Sequence, residues 1–325
     1  MKRLLILLFA LLLASPAEAR SFWTYPEQLN SSHPHPLSFS PDEEPDWLKS
    51  ELKRIHRHWG LGHKLEQHLL FKRWGEATWL AVEISSPYDE NVAIYQVVHP
   101  ANTSPQLRLT KVIMQQFVSI SDISGSDAFG DGVPFLEIAS GGGSGRWNYR
   151  VHLFRLGVEA QDVSPPGAIY SEDIAHDGRA QVIGLNPNSS AVFPQCDAQC
   201  QTLTPIIYRW SEGRFITACQ DYPDYYQNGI YAGGKATRAS KKAEAEKKEQ
   251  IASYLPAAIG YALDMLQSGE ITPARKELNA ILARAQRLAR DELDQKALAL
   301  ARSFYPPIFA QAKTSDACPY SDNLR

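Results

Sequence analysis

The spacing of apolar side chains divides the chain into a helical start, a long middle of alternation and a helical end. Trp47, Leu48, Leu52, Ile55 and Trp59 recur at helical intervals. With Asp46 placed to cap and Gly60 or Gly62 to stop, they predict a helix over Asp46 to Trp59. From Lys64 the period falls to two: Leu65, Gln67, Leu69 and Phe71 alternate with Glu66, His68, Leu70 and Lys72. After a turn at Gly75-Glu76-Ala77, strands are predicted over Trp79 to Ile84, Val92 to Val98 and Leu107 to Ile120. The centre of the chain is residues 119–157. There an Asp- and Gly-rich loop, Asp122 to Gly132, feeds an apolar run, Phe135 to Ala139. A glycine turn, Gly141 to Gly145, then leads to a second run, Trp147 to Leu156. Asp173 to Leu185 repeats the loop-then-strand form. Ile206 to Trp210 and Arg214 to Ala218 predict a hairpin over Ser211-Glu212-Gly213.

After Gly234 the pattern is helical. Residues 236–250 are Ala, Lys and Glu, with Lys242/Glu246 and Glu244/Lys248 at i, i+4, predicting a charged and largely solvated helix. Pro256 interrupts, and helix resumes from Ala257 to Gln267 until Ser268-Gly269. Leu278, Ile281, Leu282, Ala285, Leu288 and Ala289 form one apolar face. Leu293, Ala297, Leu300 and Phe304 continue it to Pro306-Pro307. Together these elements predict an α+β protein: a mainly antiparallel β domain, propeller-like or a small sheet, then a C-terminal α-helical hairpin or bundle. The expected division is 1–19 leader, 20–63 extended arm and helix, 64–234 β domain and 235–325 helical unit.

The first 19 residues stand outside this fold. Lys2 and Arg3 precede an unbroken apolar run, Leu4 to Leu13, and Ala17-Glu18-Ala19 has the small-x-small form of a cleavage site. This is the pattern of a secretory signal peptide. The run is shorter than the roughly 20 residues a membrane span needs, and no later segment is long enough. The expectation is an exported protein, periplasmic or secreted, without a membrane span. A net charge of −3 gives no case for a nucleic-acid partner, and 44% hydrophobic residues suit a globular chain. Cys196, Cys200, Cys219 and Cys318 are an even set in an oxidising compartment. We expect Cys196–Cys200 as a local bridge and Cys219–Cys318 as a long one tying the tail to the β domain. The zinc alternative lacks a second ligand pair at matching spacing.

The loop Asp173-Ile174-Ala175-His176-Asp177-Gly178-Arg179-Ala180-Gln181-Val182-Ile183 resembles the D-x-[DN]-x-D-G-x-x-[DE]-[LIV] loop of FG-GAP/VCBS-type repeats. Asp122-Ile123-Ser124-Gly125, followed by Gly130-Asp131-Gly132-Val133-Pro134-Phe135-Leu136, resembles the same loop with four extra residues inside. The resemblance covers 119–187 and is shared with a group of exported bacterial proteins. It implies propeller blades or small antiparallel sheets, and calcium held by loop carboxylates, here Asp122, Asp131, Asp173 and Asp177. The residues themselves point the other way. Ala175 stands where a second carboxylate or Asn belongs and Gln181 where the trailing acid belongs, while calcium takes 6–8 oxygens. On that count the loops are structural turns with no cofactor. Residues 257–290 are loosely similar to one tetratricopeptide-type helix pair, which implies packing against the β domain rather than a solenoid.

Candidate chemistry is thin. His56, His58, His63 and His68 fit no zinc spacing, and His56 and His58 do not share a helical face. Ser144 in Gly142-Gly143-Ser144-Gly145-Arg146 fails the G-x-S-x-G elbow and precedes a strand. Glu137 and Glu159 form a glycosidase pair only if the fold brings them to about 5–10 Å apart. No catalytic constellation emerges. Trp147, Tyr149, Tyr222, Tyr225 and Tyr226 supply aromatic groups near turns, with Trp210 and Tyr231 alongside, and Tyr222 to Tyr226 are expected on a loop. The expectation is a binding or interaction protein whose partner is a protein or glycan. The alternative is a periplasmic hydrolase of cell-wall or glycan material, which needs a pocket holding two carboxylates or a His with a carboxylate.

Overall fold

The computed structural model describes residues 46–60, 64–74, 77–85, 90–100, 103–121, 123–133, 135–141, 149–185, 204–228, 235–249, 251–313 and 318. The leader, the arm, Cys196 and Cys200 lie outside these residues. Helix α1 (Asp46–Trp59) has the predicted bounds and is followed by three four-stranded antiparallel sheets, each a run of consecutive strands. Sheet 1 is β1 (Lys64–Trp74), β2 (Ala77–Ser85), β3 (Glu90–Val98) and β4 (Gln106–Gln115). Sheet 2 is β5 (Phe117–Ile120), β6 (Phe135–Gly141), β7 (Arg150–Leu156) and β8 (Ala160–Asp162). Sheet 3 is β9 (Ala168–Glu172), β10 (Gln181–Leu185), β11 (Pro205–Ser211) and β12 (Arg214–Thr217). The expected α+β order is therefore present. Each sheet has the up-and-down form of a propeller blade, and among the described residues no sheet closes on itself.

The predicted strand Leu107–Ile120 is two strands. The chain bends at Gln116, and β5 leaves sheet 1 to pair with β6, Phe117 opposite Gly141 and Ile120 opposite Ile138. Alternation breaks at Gln115-Gln116, and the buried positions switch from Leu107 and Ile113 to Val118 and Ile120, but this local break does not say which sheet β5 joins. The short β8 and the strand β9 fall in stretches where no strand was predicted.

Side-chain alternation stacks the layers. On β2, Leu80, Val82 and Ile84 face Leu48, Leu52 and Ile55 of α1, together with Ala93, Tyr95 and Val97 of β3. The intervening Trp79, Ala81, Val92 and Ile94 face Val118, Ile120, Leu136, Ile138, Phe154 and Leu156 of sheet 2. The opposite face of sheet 2, with Phe135, Val151 and Leu153, joins sheet 3 through Val182, Ile206 and Tyr208. Each buried aliphatic side chain in these layers is worth on the order of 2 kcal/mol.

After a helical turn at Cys219–Asp221 come α2 (Pro223–Asn228), α3 (Lys235–Lys247), α4 (Ile251–Gln267), α5 (Ile271–Leu288) and α6 (Glu292–Gln311). Helix α4 is the axis of the bundle, with Tyr254, Leu255, Ile259, Leu263 and Leu266 all buried. Pro256 does not interrupt it. The break comes earlier, at Glu249, whose φ is 54°. Pro306 and Pro307 likewise lie inside α6, near its last turn. There Arg275 of α5 donates to the carbonyls of Phe309, Ala310 and Ala312 at 2.6, 3.0 and 2.7 Å, capping the helix end. Ser268 and Gly269, φ 86°, end α4 as predicted.

Helix α3 is more engaged than a solvated helix. Glu244 pairs with Lys248 at 2.6 Å as expected, but Lys242 reaches Glu277 and Glu246 takes Arg284 at 2.8 Å, both on α5. Cys219 and Cys318 form the expected long disulfide, Cα atoms 4.9 Å apart, which pins the tail beneath sheet 3. Among the described residues no helix is long and apolar enough to cross a membrane.

One charge pair sits inside the bundle. Arg238 Nε of α3 lies 3.0 Å from Asp264 Oδ2 of α4, both side chains buried. The guanidinium crosses over Gly260, where a Cβ would overlap Arg238 Nη1. Removing one partner strands the other charge in a dry core, so Asp264→Ala is expected to cost about 3–5 kcal/mol in a urea melt. Gly260→Ala should also destabilise, whereas Arg238→Met with Asp264→Leu should recover most of the loss. An Asp264→Ala midpoint close to wild type would show that the pair does not hold α3 in place.

Candidate functional site: the paired Asp–Gly loops

The loop between β5 and β6 and the loop between β9 and β10 are built by the same bonds. In the first, Asp127 Oδ1 accepts from Asp131 N at 2.9 Å, Asp127 Oδ2 from Gly132 N at 3.0 Å, and Asp131 Oδ1 from Val133 N at 3.0 Å. In the second, Asp173 Oδ1 accepts from Asp177 N at 3.1 Å, Asp173 Oδ2 from Gly178 N at 2.9 Å, and Asp177 Oδ1 from Arg179 N at 2.9 Å. Gly132 and Gly178 have φ of 78° and 83°, in the left-handed region that glycine enters without strain. This corrects the expected register. Asp127 holds the position matched to Asp173, no insertion separates it from Asp131, and Asp122 lies outside the described residues. The signal was present in the sequence as D-x-x-x-D-G at both places.

The two loops touch. Ala180 N donates to Ala128 O at 2.7 Å, and the Arg179 side chain crosses Gly130, where a Cβ would be 2.8 Å from Nε. Asp131 does more than shape its own turn. Its Oδ2 accepts from Arg155 Nε of β7 at 3.0 Å and from Trp210 Nε1 of β11 at 3.1 Å. One carboxylate thereby joins sheet 2 to sheet 3. Trp210 in turn sits edge-on to Phe135 and Phe215, centroids 5.0 and 4.8 Å away, with Phe129 closing the aromatic group. Sequence reading placed Trp210 among surface aromatics. It is buried at this joint.

Chemically the loops act as turns and clasps. Both oxygens of Asp127, Asp131 and Asp173 accept from N–H donors, so these carboxylates face the protein's own backbone and side chains. Among the described residues no group of three or more His, Cys, Asp or Glu side chains is arranged to hold a metal ion. His56 and His58 are exposed on α1; His63 and the side chain of His68 lie outside the described residues.

The expected aromatic site is not assembled. Tyr222 is half-buried, and Tyr225 and Tyr226 belong to helix α2, not a loop, with both rings buried against sheet 3. Tyr225 and Tyr170 share a hydroxyl contact at 2.5 Å, and Tyr226 donates to Pro205 O at 3.1 Å. Burial pushes the Tyr226 phenol well up. These residues attach the helical unit to the sheets. Trp147 and Ser144 lie outside the described residues. Tyr149 is exposed, its ring against Gly141. Glu137 is buried between sheets 2 and 3, where it accepts from the Ser171 hydroxyl, while Glu159 lies in the exposed turn after β7. The fold does not bring the two into one cleft.

One contact escaped sequence reading. Ser140 Oγ of β6 and His152 Nε2 of β7 are 3.0 Å apart. Burial pushes the imidazole down, Asp162 opposes this, and Lys111 and Arg150 add to the depression. Ser140 is buried on the face toward sheet 1, so the pair satisfies a hydroxyl between layers. Comparison with protein-family models, with curated proteins and with solved structures finds no match to this chain.

Two outcomes test the site. Asp131→Ala frees Arg155 and leaves the Trp210 indole N–H without its acceptor, and should cost on the order of 2 kcal/mol. Asp177→Asn, which keeps an oxygen for Arg179 N, should cost much less by the same melt. The second outcome concerns pH. The folded imidazole of His152 lies below its ordinary value of 6.5, so the unfolded chain binds more protons in between. Its stabilisation is complete above the ordinary value and is lost as pH falls through the folded one. Melting points from about pH 7.5 to about pH 5 should fall less in His152→Gln than in the wild type. Identical slopes would exclude His152 as a contributor.

Proposed function

We propose that this chain is an exported binding protein, with no catalytic role, that meets a glycan partner at the Phe117 and Tyr149 end of sheet 2. One observation carries the reading. On the face of sheet 2 turned toward sheet 3, two aromatic side chains remain in water, Phe117 at 49% exposure and Tyr149 at 41%. Phe117 is paired with Gly141 across the strands, and the Tyr149 ring lies against the same glycine at that end of sheet 2. Exposed aromatic faces suit sugar rings, and the Tyr149 hydroxyl adds a polar tip.

The hydrolase reading keeps one observation in its favour, a His with a carboxylate: His152 feels Asp162 and touches Ser140. The burial of Ser140 weighs against a nucleophile that must reach substrate.

Sedimentation with purified cell-wall sacculi separates the two. Phe117→Ser with Tyr149→Ala should reduce retention about tenfold or more, the equivalent of losing one good aromatic contact, without lowering the melting point. Retention unchanged in that variant overturns the proposed surface. Release of soluble sugar fragments that disappears in Ser140→Ala would replace it with the hydrolase.

A further inference from the structure

Two glycines stand inside the described strands, and each lies under an aromatic ring. At Gly184 of β10 a Cβ would be 2.8 Å from the Tyr208 ring and 3.1 Å from Pro166 O, so core packing accounts for that glycine. Gly141, the last residue of β6, is different. The three atoms nearest to its Cβ position all belong to Tyr149, with Cδ1 at 3.0 Å, Cε1 at 3.1 Å and Cγ at 3.6 Å. Its φ is outside the left-handed region, so the backbone there would accept other residues. A glycine inside a strand costs stability, because it has the most chain entropy to lose and no side chain to pack. What its bareness makes room for is not core but a ring that is 41% in water.

That room opens toward Phe117. Phe117 lies opposite Gly141 on the β5 side, and Tyr149 comes one step beyond the Ser140–Arg150 pair on the β7 side. Val118, next to Phe117, faces sheet 1, while Val151 and Leu153, at even steps from Tyr149, face sheet 3. The two aromatic side chains therefore share one face of sheet 2. Neighbouring strands are about 4.8 Å apart, so rings rising straight from β5 and β7 would stand about 10 Å apart with β6 between them. The Tyr149 ring instead lies over the β6 backbone, on the side where Phe117 stands. Any side chain at position 141 would occupy the gap and separate the rings.

We propose that Gly141 is the positioning residue of the glycan site, its bare backbone letting the Tyr149 ring fold across β6 to make one surface with Phe117. This rests on the glycan reading of that end of sheet 2.

Gly141→Val in the full chain tests it by three readouts. The melting point should equal or exceed that of the wild type, because valine suits a strand. Acetylation of Tyr149 by N-acetylimidazole, followed by peptide mass mapping, should become several-fold faster as the ring is pushed off β6. Retention on purified sacculi should fall about tenfold, as in Phe117→Ser with Tyr149→Ala, and adding Tyr149→Ala to Gly141→Val should cause no further loss. Gly141→Ala, which moves the ring less, should lose less retention, and it serves where the valine variant does not fold. Unchanged acetylation, or a Gly141→Val protein retained as well as the wild type, overturns the positioning role. So does a lower melting point in place of the lost retention, which would make the Tyr149 ring a cover for the strand. A wild type that is not retained overturns the glycan reading instead, and the acetylation rates then still decide whether Gly141 places the ring.

Discussion

The inner strands of all three sheets are apolar on both faces, and that constraint fixes the architecture. Strands such as β3, β6 and β10, buried at nearly every position, have no solvent side to offer. A four-stranded sheet built around such strands must be covered above and below. Stacking three of them satisfies the inner faces mutually but leaves the two outermost to be closed by something else. Helix α1 closes one end. At the other end α2 and the disulfide cover sheet 3. The helices are thus the terminal layers of the stack, which is why the bundle's first short helix carries two buried tyrosines instead of an exposed aromatic loop.

Apolar layers slide unless something specifies their registration, and here single polar groups do so. Asp131 accepts from sheet 2 and sheet 3 at once. Glu90 and Glu83 of sheet 1 accept from Val118 N at 2.9 Å and Ile120 N at 2.5 Å on the outer edge of β5. Trp79 of β2 donates to Gly157 O at 3.0 Å, and Gln96 of β3 to Val158 O at 3.2 Å, at the opposite end of the same interface. Each bond is worth little net, but leaving any of these groups desolvated and unmade is costly. Misregistered stacks are therefore disfavoured by unsatisfied groups more than by lost apolar area.

Much of this was legible in the sequence where a local rule decides the structure. The helix from Asp46, the hairpin over Glu212-Gly213 and the stop at Gly269 follow from spacing and residue type, while the Cys219–Cys318 tie is the expected one of three possible pairings. What was not legible depends on distant partners. In Leu107–Ile120 the pair Gln115-Gln116 interrupts the apolar run, but a local break does not say that the chain leaves one sheet for another. Pro256 reads as a helix breaker, yet the surrounding burial of α4 outweighs one missing backbone bond. Tyr225 and Tyr226 sit in a polar, Pro-containing stretch that local rules assign to a loop, and only the apolar underside of sheet 3 makes them core. In the Asp–Gly loops the repeated D-x-x-x-D-G spacing was present, but starting the register at Asp122 concealed it.

Stacking answers the problem of faces and leaves the problem of edges. An edge strand offers backbone groups to any passing chain, and proteins blunt this with charge or with cover. This one does both, one group at a time. Glu83 and Glu90 occupy N–H groups of β5, and on β4 Glu51 accepts from Leu107 N at 3.0 Å while Arg54 donates to Leu107 O at 3.1 Å. Beyond Leu107 the device on β4 changes from bonding to charge, with Arg108 and Lys111 interleaved among exposed Leu109 and Met114. Positive side chains repel a second copy of the same edge but not a neutral or acidic ligand. The edge is therefore guarded against pairing with a second copy of itself.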